Sequence, residues 1–131
     1  MTAAHCTDSG WGTEVCMNQK KCIVVAGAHN IRDRSETSRT EHHIKKYIIH
    51  PKRTEWAWDY MILELSDPIK FRPEARPVML PRPTDASLMT SGKMILVSGW
   101  GDLKNGANAG SAKLMYARVP VVAGIDTSLH I

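Results

Sequence analysis

The sequence predicts an all-β fold, and three observations carry that expectation. Seven prolines and nine glycines punctuate 131 residues, a density that favours short strands over long helices. The apolar residues fall in several short runs between these breaks. The length allows one domain and not two of ordinary size.

The elements follow in order. Residues 7–21 are polar and turn-rich, a loop. Cys22-Ile23-Val24-Val25-Ala26-Gly27 reads as a buried strand, and residues 32–40 are charged and irregular, a second loop. His43-Ile44-Lys45-Lys46-Tyr47-Ile48-Ile49-His50 has strand propensity with imperfect alternation, and Pro51 ends it because proline cannot donate to a ladder. Tyr60-Met61-Ile62-Leu63-Glu64-Leu65 is a third run. Residues 70–92, with Pro73, Pro77, Pro81 and Pro83, read as an extended linker. Met94-Ile95-Leu96-Val97-Ser98 is a fourth strand, and residues 114–122, interrupted by Pro120, a fifth.

Composition excludes several classes. The chain is 43% hydrophobic and 23% charged, which argues against disorder and against a rod. No run approaches the 18 or so apolar residues of a membrane helix, so no membrane partner is expected. The net charge of +4 concentrates in Arg32, Arg34, Arg39, Lys45, Lys46, Lys52 and Arg53. Only Tyr47 interleaves with them, too few aromatics for a base-stacking surface, so no nucleic-acid partner is expected.

The three cysteines are Cys6, Cys16 and Cys22. Cys16 and Cys22, with five residues between them, are candidates for a small disulfide ring. Free thiols rank second. A zinc site with His5, His42 or His43 ranks third, because it lacks a second closely spaced cysteine pair.

Several local patterns then coincide. Thr2-Ala3-Ala4-His5-Cys6 resembles the histidine motif of trypsin-like (chymotrypsin-fold) serine proteases, and Ala26-Gly27-Ala28-His29-Asn30-Ile31 resembles the strand and loop that follow it. Asp59-Tyr60-Met61-Ile62-Leu63-Glu64-Leu65 resembles the family's aspartate motif. Arg76-Pro77-Val78-Met79-Leu80-Pro81 and Val97-Ser98-Gly99-Trp100-Gly101 resemble its linker and the opening of its second barrel. The motifs stand in the family's order, and 54 positions separate His5 from Asp59, against about 45 in the family's type member.

The resemblance implies an incomplete trypsin-like double β-barrel over residues 1–131. Residues 1–69 or so would be part of the first barrel, 70–92 the linker and 93–131 the start of the second. It implies a serine-type endopeptidase acting on protein or peptide substrates, exported from the cell, with no cofactor. His5 would be the general base and later the acid. Asp59 would accept the other ring N–H, fix the tautomer and stabilise the imidazolium.

The sequence also departs from the family. No Gly-Asp-Ser-Gly-Gly segment occurs in residues 1–131, and Asp8-Ser9-Gly10 copies three of its letters in the wrong place, four residues after His5. The oxyanion-hole amides that accompany that serine are missing with it. Cys6 lacks the upstream cysteine with which the family pairs it. Met79 and Ile95 stand where many members carry further cysteines. Ala28 replaces the Glu of calcium-binding members, so calcium is not expected, and Trp58 precedes Asp59 where the family commonly has Asn. Met1 matches a position inside the family's sequences, so the chain is expected to be the middle of a protease domain. It would then be inactive alone and, with open edges, poorly stable. Alternatives are a non-catalytic homologue that binds partners, and a gene remnant.

Overall fold

The β-branched run after Cys22 forms strand β1 (Ile23–Ala26), and the long central run forms β2 (Thr40–Ile49). The apolar run that begins after Tyr60 forms β3 (Met61–Leu65). The computed structural model describes residues 1–7, 21–54, 57–106 and 109–122. These three strands make one antiparallel sheet in the order β1-β2-β3. Strands β4 (Met94–Gly99) and β5 (Met115–Pro120) pair antiparallel as a second sheet. The fold is all-β, and among the described residues neither sheet closes into a barrel.

The imperfect alternation of β2 has a physical cause. Ile44 pairs with Leu65 and Lys46 with Glu64, so Lys45 is an extra residue bulged out of the ladder. A bulge flips the face on which every later side chain falls. Before it the covered positions are even (Thr40, His42, Ile44), and after it the covered position is Ile49. Ile49 pairs with Met61, the side chain most completely buried in the sheet at 2% exposure. The displaced Lys45 reaches across to Glu64, Nζ to Oε1 2.6 Å.

Gly27 ends β1 with φ 71. An ideal Cβ there would overlap the backbone oxygen of Ser38, so the position excludes a side chain on both conformation and space. Arg72 donates to that same Ser38 carbonyl, which ties the chain after β3 to the first sheet.

Residues 70–92, expected to be extended, are not so throughout. Residues Pro83–Met89 form a 3₁₀ turn, broken at Asp85. Pro83 sets the first turn, and the Asp85 carboxylate accepts from the Arg82 backbone N–H at 2.8 Å, a local capping arrangement that scattered prolines did not announce.

The two sheets are joined through residues 29–32. Asn30 bridges Lys113, Ile31 N–H donates to the Ala112 carbonyl, and Leu114 N–H donates to the His29 carbonyl, both at 2.8 Å. The Trp100 indole N–H donates to that His29 carbonyl as well, at 3.1 Å. Much apolar surface remains uncovered. Leu96, Tyr116 and Ile62 are all more than half exposed.

Candidate active site

Two segments far apart in sequence are brought side by side by one pair of backbone hydrogen bonds. Thr2 N–H donates to the Met61 carbonyl and Met61 N–H donates to the Thr2 carbonyl, each at 2.8 Å. Thr2 leads into the 3₁₀ turn Ala4–Thr7 that carries His5, while Met61 opens β3 two residues after Asp59. Ala4 is fully buried and Met61 nearly so. The two most deeply buried described residues therefore flank the pair.

His5 and Asp59 meet twice. The His5 backbone N–H donates to Asp59 Oδ1 at 2.7 Å, and His5 Nδ1 lies 2.5 Å from Asp59 Oδ2. Asp59 sits between Trp58 and Tyr60, whose Tyr60 N–H donates to the Trp58 carbonyl at 2.7 Å. That i to i+2 bond makes Asp59 the apex of a γ-turn, and because its own φ is not positive the turn is the inverse form. The Arg53 Nε lies 3.8 Å from Asp59 Oδ1.

The electrostatics favour an ionised carboxylate. Burial works against the charge on Asp59. The hydrogen bonds from the His5 ring and backbone, the His5 charge and the Ala4 N–H outweigh it, so the carboxyl titrates below its ordinary 3.8. A fixed carboxylate on Nδ1 leaves Nε2 as the ring's proton-exchanging nitrogen. The imidazole is 44% exposed, open enough to meet a reacting group. The arrangement can therefore accept a proton at a defined atom and stabilise the resulting cation.

The trypsin family model matches residues 1–128. The chain belongs to the trypsin family. Among its curated relatives are granzyme E of Mus musculus, 31% identical over 92% of this chain, and cathepsin G of Homo sapiens, 33% identical over 77% of it. Serine protease 1 of Rattus norvegicus is 33% identical over 65% of the chain. The trypsin-family chain spans only 44%, 35% and 39% of the lengths of these three.

The structure brings together His5 and Asp59 and leaves other candidates apart. Ser9 and Cys16 lie outside the described residues, so neither the Asp8-Ser9-Gly10 copy nor the Cys16–Cys22 ring has a described geometry. Cys6 carries a free thiol. Among the described residues no three metal-ligating side chains cluster. His42 is buried at the β1–β2 pairing, its Nε2 3.0 Å from Thr40 Oγ1, a structural contact. Sequence reasoning did not single out His50, Lys52 or Arg53, and it noted Trp58 only as a departure from Asn. All four surround the Asp59 turn.

Proposed function

We propose that this trypsin-family chain supplies the base and the orienting carboxylate of a serine endopeptidase. His5 takes the proton of a serine hydroxyl at Nε2 as that oxygen attacks a peptide carbonyl, then returns it to the departing amine. Asp59 holds the Nδ1–H and stabilises the imidazolium formed between the two transfers. The observation that carries the reading is the double contact between His5 and Asp59. A carboxylate bound only to the ring would orient it about one axis, whereas the second bond also fixes the backbone from which the ring projects.

The nucleophile and its oxyanion hole are contributed by sequence other than residues 1–131, as the greater length of the relatives supports. The chain alone does not cleave peptides. Export to an oxidising compartment, with Cys16 and Cys22 closing a ring, completes the reading.

The intact mass of the native protein, together with the transcript beyond both ends, tests this first. A mass well above 14.6 kDa with a serine motif downstream supports it. In that protein His5→Ala abolishes hydrolysis of a peptide substrate. A native mass of 14.6 kDa, or unchanged hydrolysis in the variant, overturns it.

A further inference from the structure

Asp59 is reached through a residue in an unfavourable conformation. Trp58 has φ 58, the one positive value at a non-glycine among the described residues. A bulky side chain is disfavoured in the left-handed region, whereas Asn enters it readily. Something must hold Trp58 there, and its ring contacts show what does. The indole stacks on the His50 imidazole with centroids 4.8 Å apart and planes 8° from parallel. Tyr60 meets both rings edge-on, at 6.1 Å from His50 and 6.4 Å from Trp58. The Lys52 ammonium lies 5.6 Å from the centre of the indole. Stacked and edge-on pairs of this kind stabilise beyond the area they bury.

His50 is a rigid platform for the stack. It follows directly on β2, its N–H donates to the Tyr60 carbonyl at 3.0 Å, and its own carbonyl accepts from Arg53 N–H at 3.0 Å. Its Nδ1 accepts from Lys52 N–H at 3.2 Å. The two rings therefore clamp both ends of the segment that turns back into β3, and Asp59 lies between the clamped residues Trp58 and Tyr60.

We propose that Trp58 is a positioning residue, whose stack on His50 holds the left-handed turn that aims the Asp59 carboxylate at His5. The inference rests on the His5–Asp59 reading and adds a requirement to it. Either the stack or a residue at ease in the left-handed region must stand before Asp59, and this chain uses the stack.

Residue-resolved labelling of carboxyl groups with a carbodiimide and glycinamide, read by mass spectrometry on the full chain, tests this. Asp59 is shielded while its oxygens accept from His5, and Glu64, paired with Lys45 across β2–β3, reports whether the sheet stays folded. Trp58→Ala and His50→Ala each raise Asp59 labelling on the order of tenfold, equivalent to about 1.4 kcal/mol, with Glu64 unchanged. Trp58→Phe keeps the stack and Trp58→Asn tolerates the turn, so both label at the parent rate. His50→Ala has no effect in the Trp58→Asn background. Parent-rate labelling in Trp58→Ala and His50→Ala, or Trp58→Asn labelling as fast as Trp58→Ala, overturns the proposal. Should Trp58→Ala unfold the sheet, the His50→Ala comparison between the two backgrounds decides. His5→Ala separates the two readings. If it leaves Asp59 labelling unchanged the dyad itself fails, and if it raises labelling while the Trp58 series is flat, only the positioning role falls.

Discussion

His5 is bound to Asp59 through two of its own atoms, the backbone nitrogen and ring Nδ1, at 2.7 and 2.5 Å. One contact fixes the tautomer and the other fixes the main chain beneath it. A side chain held in both ways loses little further entropy when it begins to transfer protons, which is the preorganisation a general base needs.

Replacing the acceptor oxygen should therefore damage chemistry more than structure. Asp59→Asn keeps the shape but presents an amide that favours the wrong ring tautomer. In the full-length protein kcat for peptide hydrolysis is expected to fall about 10⁴-fold, the scale of this change in triads of this type. Steady-state kinetics with an unchanged thermal transition is the check. A loss below tenfold would remove Asp59 from the mechanism.

The depressed titration of Asp59 sets a pH dependence with a definite sign. A carboxyl whose folded value lies below its unfolded one stabilises the fold fully above the unfolded value. That contribution is lost as pH falls through the folded value. Protection of the His5 amide, taken relative to its intrinsic exchange rate at each pH, should thus hold above about pH 4, the ordinary carboxyl range, and fall away below it. In Asp59→Asn the same amide should show no added protection above that range.

Met61 joins packing to the site, because its backbone pairs with Thr2 and its side chain is 2% exposed. Met61→Ala is expected to destabilise the first sheet by about 2–5 kcal/mol. Exchange of the Thr2 and His5 amides should quicken with it. Denaturant unfolding of the full-length variant measures the first effect and exchange the second.

Gly27→Ala should fail for two separate reasons, its φ of 71 and the Ser38 carbonyl in the space of the new Cβ. The neighbour is backbone and cannot swing aside, so the expected loss exceeds about 1 kcal/mol. A thermal shift within error of the parent would show that the β1–β2 connection adapts.

The uncovered sheet faces make a prediction about the 131-residue chain by itself. With Leu96, Val97, Met115 and Tyr116 exposed on β4 and β5, it should bind an apolar dye and associate at micromolar concentration. A sharp, cooperative transition from a soluble monomer would contradict this.

Much of this was legible in the residues alone. Short runs of apolar residues marked all five strands. Thr-Ala-Ala-His-Cys and the aspartate before Tyr60 singled out the two residues that meet. What could not be read depends on register and torsion. The imperfect alternation of β2 signals an irregularity, but its place at Lys45 is set by pairing with β3. The turn at Pro83–Met89 comes from an Asp85 contact that composition hid. Trp58 reads in the sequence only as a departure from the family's Asn, because neither its positive φ nor the nearness of His50 has a sequence signature.

The Thr2–Met61 bridge has a consequence for how such a site can change over time. His5 stands three residues beyond one end of the bridge and Asp59 two residues before the other, so the distance between them is set by these short arms. The 54 positions of intervening chain do not enter. Lengthening a loop between fixed ends costs only about 0.6 kcal/mol per doubling. Insertions into the chain between Thr7 and Lys21 can therefore accumulate while the proton-transfer geometry stays constant. The hairpin-like clasp works as a ruler whose reading is independent of how much thread is wound around it.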